Sequence, residues 1–169
     1  MNARVTPPQQ GAPMGMRGGA PWEGAAPNGQ PYVASSFFVY ENDIPVTLAA
    51  GTATSIPFNI AGDSDFFWTK FCAFALVDGL ATTREDDELP AVTLLITNVK
   101  TGRQYSNNPV PLPNMAGTAV FPFILPMVVL WEAFSTIQCA LSNEGDTDYS
   151  NLQLSFIGVK AFTNVTTQP

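Results

Sequence analysis

The chain has 169 residues and a net charge of −7, with 46% apolar side chains, only 12% charged ones, and no histidine. That apolar content supports one ordinary folded domain, and so low a charged share leaves a surface of small polar residues or one partly covered by other subunits. The missing histidine removes Ser-His-Asp and Cys-His catalysis and most zinc sites, and the acidic balance disfavours double-stranded nucleic acid as a partner.

Residues 1–35 form a distinct stretch, with prolines at 7, 8, 13, 21, 27 and 31 and glycines at 11, 15, 18, 19, 24 and 29. No apolar periodicity runs through it, so it reads as an extended arm ahead of the folded body. The arm holds Arg4, Arg17 and Glu23, a net +1, which leaves five basic and thirteen acidic side chains, or −8, on the rest. Two arginines cannot neutralise a packaged genome, so the arm is expected to contact protein. Fixing each residue costs about 1–2 kcal/mol, and the arm has no core of its own to offset that cost. It must lie along another surface, either its own body or, as its reach of roughly 100 Å at about 3.1 Å per residue suggests, neighbouring subunits. Its large apolar side chains, Val5, Met14, Met16, Trp22 and Tyr32, are the expected interface anchors.

The body, residues 36–162, opens with the β-rich run SFFVYE. Thr52 to Ile60 alternates, with Ile56, Phe58 and Ile60 on one face, and Pro57 marks it as an edge strand. Asp65 to Asp78 (DFFWTKFCAFALVD) follows a Gly-Asp turn and is apolar on both faces. It reads as a central strand covered on both sides, with Phe67 sharing a face with Phe71, and a buried helix as the alternative. Leu80–Pro90 is a polar loop carrying Glu85, Asp86, Asp87 and Glu88. Ala91–Val99 is a strand that turns at Lys100-Thr101-Gly102 into Arg103–Ser106, and Asn107–Gly117 is a Pro-rich loop. Met127–Glu132, Phe134–Ser142 and Leu152–Phe162 close the body; Ile137, Cys139 and Leu141 point inward in the second of these, as do Leu152, Leu154 and Phe156 in the third. Residues 163–169 form a polar tail. About eight strands with frequent turns and no helical periodicity predict an all-β fold. The expected architecture is an antiparallel two-sheet β-sandwich, jelly-roll-like, behind a long N-terminal arm.

Motifs for chemistry are sparse. No phosphate-binding glycine pattern occurs, and no catalytic or cofactor-binding residue is assigned. Carboxylate chemistry would have to come from Asp63, Asp65, Glu132 or the acids at 85–88, which resemble ordinary turn residues. Asn143, Glu144, Asp146 and Asp148 offer a candidate calcium loop, although these residue types are also the usual hairpin formers. Cys72 and Cys139 read as two buried thiols, with a disulfide as the alternative. Phe66, Phe67, Trp68, Phe71 and Phe74 are core residues first and a sugar platform second. The apolar run Ala119–Trp131 is too short for a membrane span and is broken by Pro122 and Pro126. No apolar leader opens the chain, so synthesis in a host cytoplasm is expected.

An extended Pro/Gly/Ala arm ahead of a small, acidic, histidine-free β-sandwich resembles the small structural proteins of tailed-phage virions: capsid cement or decoration proteins, or minor collar and tail proteins. The stretches PFNIAGDSDFFW, TNVKTGRQYSNNPVPLP and LQLSFIGVKAF carry the likeness. The resemblance implies a virion protein without enzymatic activity or cofactor, bound to other virion subunits, often as a homo-oligomer, with neither nucleic acid nor membrane as a partner. The competing expectation is a carbohydrate- or receptor-binding jelly-roll module of a viral fibre or adhesin.

Overall fold

Alternation of apolar and polar residues sets the strand register throughout the chain. The computed structural model describes residues 20–77, 80–81, 91–118 and 120–163, the pair 80–81 by backbone alone. In chain order the strands are β1 (Ala34–Glu41), β2 (Val46–Leu48), β3 (Ala53–Asn59), β4 (Asp65–Val77), β5 (Leu80–Ala81), β6 (Val92–Asn98), β7 (Arg103–Gln104), β8 (Val110–Pro111), β9 (Phe123–Trp131), β10 (Thr136–Asn143) and β11 (Tyr149–Phe162). Two short 3₁₀ turns, Pro21–Glu23 and Leu112–Asn114, are the only helical elements among the described residues.

The strands form two antiparallel sheets, one of six strands and one of five. In the first, β1 and β2 share one edge of β11, β4 lies against the other, and β5 and β9 share the far edge of β4. In the second the order is β3-β10-β6, and β7 and β8 both pair with β6. The pairings nest: β1 with β11, β3 with β10, β4 with β9, and β6 with β7 and β8. A chain doubled back on itself and wound into two sheets gives this pattern, which is a jelly roll. Pro57 sits on the edge strand β3, where a missing N–H leaves no ladder bond unmade.

The core lies between the sheets. Ile56, Phe58, Leu94, Ile96, Ile137, Cys139 and Leu141 from the five-stranded sheet meet Phe66, Trp68, Phe71, Leu152, Leu154 and Phe156 from the other. Phe156 is its centre, with ring centroids of Phe71 at 4.6 Å, Phe58 at 4.8 Å, Trp131 at 4.9 Å and Trp68 at 5.1 Å. Edge-to-face and offset geometries of this kind add to the area term.

One expectation fails in β4, where Phe67 does not share a face with Phe71. The register between β4 and β11 shifts between Ile157 and Gly158, so that Ile157 pairs with Lys70 and Gly158 with Trp68. Thr69 is the extra residue of a β-bulge, which inverts the alternation beyond it. Phe66 and Trp68 before the bulge, and Phe71 and Ala75 after it, therefore all enter the core, while Phe67, Cys72 and Phe74 fall on the outer face. The bulge groups are satisfied: Thr69 Oγ1 donates to the Ile157 carbonyl at 3.1 Å, and Trp68 Nε1 donates to the Lys70 carbonyl at 2.8 Å. Gly158 is required here, because a Cβ would lie 2.1 Å from the Phe67 carbonyl oxygen.

Other boundaries differ in detail. The strand expected from Met127 starts at Phe123, and the one expected from Phe134 starts at Thr136, because Phe134 takes a left-handed φ of 60° in the preceding turn. Asn42 bridges the point where β1 gives way to β2 along β11. Its Nδ2 donates to the Leu152 carbonyl at 3.2 Å and its Oδ1 accepts from Leu154 N at 2.7 Å.

Truncating the central ring tests this packing. Phe156→Ala is expected to cost about 3–5 kcal/mol in denaturant unfolding, whereas Phe37→Ala, at a site 72% exposed, should stay within about 0.5 kcal/mol.

Candidate functional site

The described part of the arm, from Ala20 onward, folds back on its own body. Ala26 N donates to the Gln30 carbonyl and Gly29 N to the Ala26 carbonyl, both at 2.8 Å, and Ala25 bridges Pro31, closing a small hairpin. Pro27-Asn28-Gly29 supplies the turn: Asn28 Oδ1 accepts from Gln30 N at 3.0 Å, and Gly29 takes a φ of 81°. Val33 N then donates to the Phe162 carbonyl and leads the chain into β1.

The hairpin is seated on Phe67. Trp22 and Tyr32, from its two limbs, meet the Phe67 ring edge-on at 6.0 and 5.5 Å, and Phe67 is left only 5% exposed. Beside this contact the Tyr32 hydroxyl donates to Asp65 Oδ2 at 2.7 Å, and Ala133 N donates to Asp65 Oδ1 at 2.7 Å. Burial, the hydrogen bond to Asp65 and the negative charges of Asp65 and Glu132 all push the Tyr32 hydroxyl well above its ordinary value of 10.0. Trp22 and Tyr32, expected as interface anchors, thus touch the body of their own chain. Val5, Met14 and Met16 lie outside the described residues.

Next to the hairpin an open cleft of about 470 Å³ brings together Asp63, Asp65 and Glu132 with Asn28, Lys100 and Phe134. Three carboxylates that the sequence could not rank therefore share one site. Each is already engaged. Asp65 holds Tyr32 and Ala133, Glu132 pairs with Lys100 Nζ at 2.8 Å, and Asp63 accepts from Ser64 at 2.9 Å and lies 3.8 Å from Lys160 Nζ. Phe134 stands at the cleft 80% exposed, its ring packed over Gly62, where no Cβ would fit.

The candidate calcium residues do not converge on a common point. Asn143 is buried, with Nδ2 donating to the Leu48 and Thr147 carbonyls at 3.2 and 2.8 Å and Oδ1 accepting from Gly145 N at 3.0 Å. Glu144 accepts from Ser142 at 2.6 Å, Asp148 from Ala50 N at 2.8 Å, and Asp146 turns toward Thr147. These are the bonds of a hairpin loop, and no group of three or more metal-ligating acids or thiols gathers among the described residues. Cys72 and Cys139 are both free and buried, Cys139 in the core between the sheets and Cys72 on the outer side of the six-stranded sheet, which excludes the disulfide. Burial pushes both thiols upward. Of the aromatic run, Phe66, Trp68 and Phe71 are core and Phe67 is covered, so Phe74, 42% exposed on the outer face, is the single ring of the five that meets solvent. The acids at 85–88 lie outside the described residues.

The second surface feature is β9 with the loop before it, part of the apolar run that the sequence marks as too short for a membrane span and, from Met127, as a closing strand. Val120, Phe121, Phe123, Ile124, Met127, Val128 and Leu130 are all exposed, from 36 to 77%. The signal was present in the sequence as an apolar stretch without a charge.

No protein-family model matches the chain, and no curated protein matches it. Among solved structures, dimeric latent PorU from Porphyromonas gingivalis is similar over 85% of this chain and 14% of its own length, at 11% identity and a TM-score of 0.37. The chain spans about one seventh of that protein, and a likeness at that level leaves function to be read from the residues.

The Tyr32 contact has a pH signature. A docked tyrosine favours its neutral form, so docking is intact below pH 10 and weakens as the pH rises beyond the free-tyrosine value. An ultraviolet difference titration of wild type against Tyr32→Phe should therefore show one tyrosine ionising well above pH 10; ionisation of that group near 10 would show that the hairpin does not dock.

Proposed function

We propose that the protein is a non-enzymatic structural component of a tailed-phage particle, a cement, minor capsid, collar or tail protein that joins neighbouring subunits through its N-terminal arm. The observation that carries this reading is the seat of the arm on Phe67. It holds the described start of the arm beside the outer face of a jelly-roll sheet, and a strap of nineteen residues spans about 60 Å at full polyproline-II extension. A jelly roll is a recurrent architecture of capsid subunits, and a strap that adds a second attachment to a body contact resists dissociation through effective concentration. The low charge, and carboxylates already tied to internal donors, fit a protein that works by contact.

Removing residues 1–19 tests the proposal while leaving the Phe67 seat in place. The shortened chain should melt within about 2 °C of the full one and fail to enter particles in a complementation experiment. Normal incorporation would sink the reading.

One observation favours a second reading, a glycan- or receptor-binding module. Phe134, held exposed at the cleft beside Asn28, Asp63 and Glu132, has the apolar face and polar rim that sugar sites use. Glycan-array binding by the protein, lost in Phe134→Ala, would support that reading over the structural one.

A further inference from the structure

We propose that the outer face and free edge of β9, with the loop that precedes it, are the surface on which a second copy of this chain packs. This goes beyond the strap reading, because it concerns the body and holds whether or not the arm engages a neighbour.

The patch is close-set in sequence; Phe123, which pairs with the core residue Phe71, is the member that does not face outward. Seven large apolar side chains between Val120 and Leu130 are exposed, Ile124 at 68%, Met127 at 71% and Phe121 at 70%. Ile124 pairs with Lys70 and Leu130 with Phe67, which places both on the outer face of the six-stranded sheet. Among the described residues no strand pairs with the second edge of β9. Sheet edges are ordinarily guarded by lysines, prolines or inward charges, so the prolines of this edge oppose strand pairing and leave its apolar side chains as the contact surface. Here Pro122 and Pro126 interrupt the edge, but the chain carries no charged residue from Gln104 to Trp131. Lys70, opposite Ile124, marks the rim.

Three arguments select a second copy as the occupant. The first is area: the six side chains other than Phe123, each more than a third exposed, present several hundred Å² of apolar surface, at the upper end of the patches of ordinary monomers (about 300–600 Å²) and of the order needed for the apolar centre of a standard interface. The second is charge. Outside the arm the chain carries −8, so two copies repel over most approaches. β9 is uncharged, as are β3, β6 and β10, but of these strands it is the one that exposes large apolar side chains, so two copies can meet there without a like-charge cost; depletion of charge with enrichment in Phe and Met is the composition of a self-associating core. The third concerns the competing occupant, the chain's own residues 1–19. Their large apolar side chains are Met1, Val5, Met14 and Met16 among glycines, prolines and glutamines, too few to cover this patch.

The full-length chain at micromolar concentration should sediment as a dimer or higher oligomer. The double variant Ile124→Asp/Met127→Asp should shift to the monomer mass, with self-association at least tenfold weaker and an unchanged near-ultraviolet circular dichroism spectrum. Ile44→Asp, at an equally exposed apolar site on the β1–β2 connection, should keep the oligomer. Because Cys72 and Cys139 are buried, a Met127→Cys chain offers one reactive thiol, and a short bismaleimide should link two copies through it. That cross-link decides the matter if the double variant fails to fold. A monomeric wild type, an unchanged mass in the folded double variant, or no linked pair at Met127→Cys would each overturn the proposal, including the case where the arm or an unrelated protein covers the patch instead.

Discussion

The bulge at Thr69 is the constraint on which the rest of the structure depends. β4 is a run of aromatics with no polar face to orient it, and strict alternation would send Trp68 and Phe71 to opposite sides. One extra residue puts both into the core, where they meet Phe156 and, in the case of Trp68, Trp131. The same residue leaves Phe67 outside, opposite Leu130 and Val159. A single irregularity thus sets the inner cluster and creates an apolar ring on the outer face that needs a cover.

That cover is the root of the arm. Composition alone makes residues 20–33 a poor candidate for order, since they bury little by themselves. Order comes from two aromatic contacts on Phe67, a tight hairpin whose turn uses the proline, asparagine and glycine that otherwise signal disorder, and one charge-assisted bond from Tyr32 to Asp65. The Asp65 carboxylate also accepts from Ala133 N, so it ties the arm to the turn after β9. Arm, β4 and β9 therefore share one node at the end of the sandwich.

The surface divides along the same lines. The carboxylates near the cleft are held by donors within the fold; of the acids in the loop after β10, Glu144 bonds within its own hairpin and Asp148 ties that loop to Ala50 in the β2–β3 connection. The large uncommitted feature is apolar, and it lies on the sheet that carries the arm. The body is net acidic, seven of its exposed large apolar side chains gather on β9 and the loop before it, and the described root of the arm sits on the same sheet.

Much of the fold was legible in the residues. Period-2 alternation located β3, β10 and β11 and their inward residues, the proline placed β3 at an edge, and the both-sided apolarity of β4 marked it as central, because these features follow from the geometry of a single strand. Trp22 and Tyr32 were conspicuous as large aromatics among glycine and proline, but the surface they meet, Phe67 of their own chain, was not legible. Strand order, the nested jelly-roll pairing, the facing of Phe67 and the meeting of Asp63, Asp65 and Glu132 at one cleft were not either. They depend on residues far apart in the chain and on a bulge whose position is set by the partner strand. The sequence by itself determined that this is a two-sheet β body behind an arm; only the tertiary structure decided that the arm is rooted on its own body, at the one aromatic ring that the bulge turns outward.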